Sequence, residues 1–285
     1  MCSTSFFRLP CAAMVIAALS LPGILCAQEK QETKTAKIPE SLIGDEHLRE
    51  EFGVNEFTTP SIRKVFDQLD ALGTLPYDKL KRPISEKAPA DRVVIALGLG
   101  MLIGDGFLIV QCEKVEEMEG LGRALLRYAK ALGAGVRIGK HSQSLLENSI
   151  LGDWDKLRDE LAATQVDVEA EMVLLRDVEV AHLIALGGWL RAFEISTEAV
   201  AESYSEEKSR NLGRADIVEY FIATLDGLHP KLRQLPYIVD LIEGLHAMLP
   251  LLDVPEGKAF TEAEVKDLRE KAQLLARVVT GQLPR

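Results

Sequence analysis

Cysteine is nearly missing from this 285-residue chain: Cys2, Cys11 and Cys26 all lie near its start, and only Cys112 lies beyond them. A chain trimmed after Ala27 would keep a single thiol, so no internal disulfide can staple the fold and stability must come from packing. Cys112 follows an apolar run and reads as a small buried hydrophobe rather than a reactive thiol. Basic charge is also short, with 33 Lys plus Arg against 44 Asp plus Glu and a net charge of −11. Such a surface repels phosphate backbones and anionic headgroups, which argues against nucleic-acid and peripheral-membrane partners. The nucleophile elbow G-x-S-x-G, a Walker loop and Cys-x-x-Cys are all absent, so the usual signatures of hydrolase, nucleotide and thiol-redox chemistry are missing.

What is present begins with apolar residues, 47% of the chain, enough for one large core or two modest ones. At the N-terminus Arg8 is the only charge ahead of the apolar run AAMVIAALSL, Pro22 and Gly23 break that run, and small Ala27 precedes a polar stretch. This is the pattern of a secretory signal peptide over 1–27, which predicts export to the periplasm or the medium. Acylation at Cys26 is the lesser alternative, because Leu25 stands where a lipobox has a small residue. The polar segment after it reads as a flexible tether, 28–59, and 60–89 as a short helix followed by a proline-rich connector. In that helix Pro60 takes the first position, Ile62, Val65, Phe66, Leu69 and Leu72 keep helical spacing, and Gly73 closes it.

Helical periodicity continues through the rest, and no convincing strand is found. Leu121, Ala124, Leu125, Tyr128 and Leu132 form a stripe ending at Gly133. Trp154, Leu157, Leu161, Val168, Met172 and Leu175 form another, and Thr261 with Glu264 opens a last helix as a capping box. The expected fold class is therefore all-α. Within it IALG occurs at Ile95–Gly98 and again at Ile184–Gly187, while LGRA occurs at Leu121–Ala124 and again at Leu212–Ala215. The two matches share order and nearly the same offset, which predicts a tandem duplication, 90–178 and 179–285, of about four helices per half.

The duplication bears on VVIALGLGMLIGDGF, Val93–Phe107, which alone can be read as a membrane span, as a strand entering a glycine-rich nucleotide loop, or as a buried helix. Its copy keeps Gly98 as Gly187 but puts Trp189 and Phe193 where Gly100 and Gly104 stand, so a dinucleotide loop is not repeated. The copy also carries Arg191 and Glu194, charges that a lipid-facing helix excludes. A central buried helix remains, with no membrane span expected in the mature chain. A glycine kept in both copies predicts close contact between the two first helices, with Gly98 near Gly187.

Two sets of candidate site residues follow. Asp105 and Glu194 are matched, seven residues beyond the matched glycines and so on nearly the same helical face. Arg123 and Arg214 of the LGRA segments are the expected partners. These four read either as structural ion pairs or as a site for a small polar ligand between the halves. Separately, Glu179 with His182 and Glu243 with His246 are Glu-x-x-His pairs. In these four residues alone the chain resembles ferritin-like di-iron bundles, which use two such pairs and two further glutamates. The resemblance implies iron or another divalent metal as cofactor and a redox function. It departs in that no residues stand out as the further glutamates. His47, His141 and His229 lie in polar contexts and are expected to be solvated. The functional expectations are a binding or scaffolding module of the cell envelope, with a protein or small polar ligand as partner and no cofactor, or a metal-dependent redox bundle.

Overall fold

The computed structural model describes residues 69–85, 87–174, 177–255 and 257–281. The expected signal peptide, the tether and the start of the first helix with Ile62, Val65 and Phe66 lie outside the described residues. Of that helix, 69–72 is helical with Leu69 and Leu72 buried, and Gly73 ends it at φ 77°, a conformation open to glycine without strain. The connector is not wholly extended: Tyr77–Leu80 makes one helical turn, α1. That turn lets Leu75 and Leu80 both enter the core.

Every further element is helical, and no strand occurs among the described residues. After α1 come α2 (Arg92–Gln111), α3 (Val115–Leu132), α4 (Gly135–Leu151) and α5 (Trp154–Leu174). The Asp91 carboxylate accepts hydrogen bonds from the Val93 and Val94 amides and starts α2, as an N-cap should. Left-handed Gly133 and Gly152 end α3 and α4. The expected inward stripe of α5 is present in Leu157 and Leu161, both fully buried. Leu175 and the side chains of Val168 and Met172 lie outside the described residues.

The long α6 (Val178–Glu202) comes next, followed by a short α7 (Glu206–Ser209) and a 3-10 turn, Arg210–Leu212. Then come α8 (Ala215–Asp226), the one-turn α9 (Pro230–Arg233), α10 (Pro236–Leu252) and α11 (Glu262–Thr280). The expected capping box forms, with Thr261 Oγ1 accepting from the Glu264 amide and Glu264 accepting from the Thr261 amide.

Helices α2 to α5 pack each on the next, and α5 returns to α2. Further along, α8 packs on α10, α10 on α11 and α11 on α6, while Phe221 of α8 meets Trp189 of α6 with ring centroids 5.4 Å apart. The main contact between the two sets is α2 against α6. These helices run parallel, since Arg92 pairs with Asp177 at one end and Asp105 with Arg191 further along both.

The α2–α6 contact is close enough to need glycine. A Cβ on Gly100 would overlap the Ile184 carbonyl oxygen, and one on Gly187 the Leu97 carbonyl oxygen. The expected close approach is therefore present, but Gly98 does not face Gly187. A Cβ on Gly98 would lie 2.8 Å from Cε1 of Tyr128, so this glycine makes room for the tyrosine ring of α3. Helix α2 has the length and mean hydropathy, 2.4, of a membrane span, yet 89% of that window is buried inside the protein. With α3, α5, α6 and α11 packed around it, it is apolar on nearly every face because nearly every face is covered.

The two IALG segments lie in these two central helices. The LGRA segments differ: the first is inside α3, whereas the second spans the junction between the 3-10 turn and α8, with Arg214 as the helix N-cap.

Candidate functional site

The α2–α6 contact positions a buried charged group. Gly104 leaves room for the Arg191 stem, to which a Cβ would come within 2.6 Å. Arg191 is fully buried, and each arm of its guanidinium is used. Its Nε donates to Asp105 Oδ1 at 2.7 Å, Nη1 donates to Glu194 Oε2 at 2.8 Å, and Nη2 donates to the Leu80 carbonyl. Arg82, from the connector, reaches the same Glu194, its Nη2 donating to Oε1 at 2.6 Å and also to Oε2.

Asp105 and Glu194 are thus brought together as expected, but by Arg191 and Arg82 rather than by Arg123 and Arg214. Arg123 is exposed and pairs with Glu119 one turn earlier on α3. Arg214 pairs with Asp216 at 2.8 Å, with both side chains substantially exposed. The reason for Arg123 is local: Leu121, Ala124 and Leu125 take the inward face of α3, so the residue between them turns outward. Arg214 lies at a helix start, where no face is defined.

Electrostatics separate the two buried arginines. Burial alone would push Arg191 down, but the Asp105 and Glu194 charges more than offset it and lift the guanidinium above its ordinary value. Arg82 is held below the ordinary value, by burial first and then by repulsion from Arg191, which Glu194 and Asp105 only partly counter. An arginine stays charged throughout the accessible pH range, so the group carries two positive and two negative charges.

Beside this group lies a cleft of about 190 Å³ between the connector, α2, α3 and the end of α11. Arg82, Asp105 and Tyr128 line it together with apolar side chains including Ile84, Val94 and Met101. The connector wall is tied down where Arg127 Nη2 donates to the Ser85 carbonyl at 2.6 Å. Two members of the charged group keep unused hydrogen-bonding capacity, one of them sealed from solvent. Arg82 Nη1 is buried without a partner. Among the described residues Asp105 accepts through Oδ1 only, and a carboxylate has two acceptor oxygens. Burial raises the Tyr128 phenol, keeping it a neutral donor and acceptor.

The Glu-x-x-His pairs are not joined to a third ligand among the described residues. Among the described residues no group of three or more His, Cys, Asp or Glu side chains is placed to hold a metal ion. Glu179 accepts from the His229 amide at 2.7 Å, and His182 Nδ1 lies 2.8 Å from the Tyr220 hydroxyl. On α10 the inward face belongs to Leu241, Leu245 and Met248, which leaves Glu243 and His246 exposed. His47 lies outside the described residues.

His141, expected to be solvated, is instead enclosed between α4 and α5. Its Nδ1 meets Glu160, its Nε2 lies 2.9 Å from Asp167, and Ser144 donates to Glu160 at 2.8 Å. This cluster ties the two helices together. No protein-family model matches the chain, and neither do curated proteins or solved structures.

Proposed function

We propose that the chain is an exported binding module of the cell envelope whose ligand site is the cleft beside Arg82 and Asp105. One observation carries this reading: two members of the charged group, Arg82 and Asp105, line the cleft, whereas Arg191 does not. Arg191 has every arm paired, as a purely structural arginine requires. Asp105, which lines the cleft with Arg82 and the Tyr128 phenol, keeps a second carboxylate oxygen without a partner among the described residues, and polar capacity left unused by the fold is available to a ligand.

A duplicated origin gives such a site a place to form, next to the contact between the first helices of two related halves. The packing order supports it: in each half the first long helix is followed by three others, and the fourth returns to the first. On this reading α7, the 3-10 turn and α8 together correspond to α3, interrupted in the second copy at Gly213 and Arg214. Export rests on the pattern of residues 1–27.

The test has two arms. Fractionation with mass spectrometry of the N-terminus should find a chain beginning at Gln28 outside the cytoplasm; a cytoplasmic chain retaining Met1 overturns export. A fragment library followed by ligand-observed NMR should give hits that Val94→Trp, which fills the cleft without touching the charged group, abolishes. If no fragment loses its signal in Val94→Trp, the cleft is not the binding site.

A further inference from the structure

His141 is engaged at both ring nitrogens. Nδ1 meets Glu160 Oε1 and Nε2 lies 2.9 Å from Asp167 Oδ2, with the side chain only 13% exposed. Glu160 and Asp167 stand seven residues apart on α5 and so share one face of it. We infer that these three residues form a proton-dependent clasp between α4 and α5, closed while they hold one proton beyond those of a neutral imidazole and two carboxylates, and loosened when alkali removes it.

A neutral imidazole donates from one nitrogen and accepts at the other. In either tautomer one lone pair would therefore face a carboxylate oxygen, acceptor against acceptor. Turning the ring over offers no alternative, because it puts Cδ2 and Cε1 where the nitrogens stand. The closed contact thus needs one more proton, on the ring or on a carboxyl oxygen that meets it. Glu160 Oε2 is already committed as an acceptor: Ser144 Oγ donates to it at 2.8 Å and itself accepts from Asn148 Nδ2 at 3.2 Å. Other described charges nearby do not replace that proton. Glu171, one turn beyond Asp167 on α5, adds negative charge, and Lys140 beside His141 is exposed. On α3, the other helix packed on α4, Lys130 lies against Gly135, more than one turn before His141. The clasp therefore holds on the acid side of the imidazole titration, about pH 6.5 for a free side chain, and its contribution is lost as the proton leaves to solvent at higher pH.

Helix α4 is the element this would release. It packs mainly on α3 and α5, its last residues Ile150 and Leu151 are exposed, and Leu145 is fully buried. Loosening it uncovers Leu145 without touching the α2–α6 contact. Neither α4 nor α5 lines the cleft, so the clasp stands apart from ligand binding there.

Hydrogen exchange of the full chain at about pH 6 and about pH 8.5, corrected for intrinsic rates and read on α4 amides against those of α11, tests the clasp. In the wild type the relative protection of α4 should fall about tenfold or more at the higher pH, the scale of one hydrogen bond to a charged group. His141→Gln cannot take up the proton and should show no such fall. Asp167→Asn offers an N–H to a neutral ring, so α4 should stay severalfold better protected than in the wild type at the higher pH. Level protection in the wild type, or a fall in His141→Gln as steep as the wild type's, overturns the clasp. Should His141→Gln fail to fold, Asp167→Asn decides, and a fall equal to the wild type's overturns it.

Discussion

Replacing Arg191 by methionine tests the charged group most directly. Arg191 is fully buried and holds Asp105, Glu194 and the Leu80 carbonyl. After the change Glu194 keeps Arg82, so the stranded groups are Asp105, whose side chain is only 14% exposed, and the Leu80 carbonyl. Removing one partner of a buried pair costs about 3–5 kcal/mol. In a protein of this size each kcal/mol moves Tm by roughly 2–4 °C, so the melt should fall by about 6–20 °C. Adding Asp105→Asn removes the stranded charge, and the double variant should be more stable than the sum of the two single losses by about 1–3 kcal/mol. Denaturant titrations of the three variants give all the terms. A loss below about 1 kcal/mol for Arg191→Met, or strict additivity, would refute the account, since that is the behaviour of an exposed pair.

The α2–α6 contact predicts a loss of more than about 2 kcal/mol for Gly100→Ala and for Gly187→Ala. Gly139→Ala, with Leu126 at an ordinary 3.6 Å, should instead gain about 0.5–1 kcal/mol; thermal melts that reverse this ranking would sink the packing argument. Arg123→Ala and Arg214→Ala, both in exposed pairs, should each change stability by less than about 1 kcal/mol in urea titrations. Burial lowers the His182 imidazole, so below about pH 6.5 the unfolded chain binds more protons than the folded one. Its contribution is complete above that pH and is lost as pH falls through the lowered folded value. Urea midpoints should therefore decline on acidification, and His182→Phe should flatten that decline; an unchanged slope in the variant would refute it.

The buried nature of α2 was legible because the other readings of Val93–Phe107 failed on the residues that follow the second IALG segment. The close approach was legible to within a residue: Gly187 touches Leu97, next to Gly98. Which glycine of α2 faces α6 was not, because one step along a helix turns the side chain by about 100°. Asp105 and Glu194 were placed by their seven-residue spacing from matched glycines. Their arginines were not. Arg191 falls opposite apolar Leu102 when the two IALG segments are aligned, so matching residues passes over it, although an arginine inside a largely apolar helix always requires a partner. Arg82 lies in a proline-rich segment without periodicity, and only tertiary packing gives it a position. Spacing puts each Glu-x-x-His pair on one face but does not say which face. On α10 the leucines and Met248 decide that.

Helix α2 cannot be covered until α6 exists, and α6 is made only after α3, α4 and α5. For that interval a growing chain carries the segment with mean hydropathy 2.4 with its flattest, glycine-lined side open. Neighbouring helices of the same half can shield the other sides but not this one. Chain growth therefore passes through a stage at which chaperone binding and self-association compete for one surface. A chain stopped at Asp177 would remain at that stage permanently, aggregating where the longer chain folds.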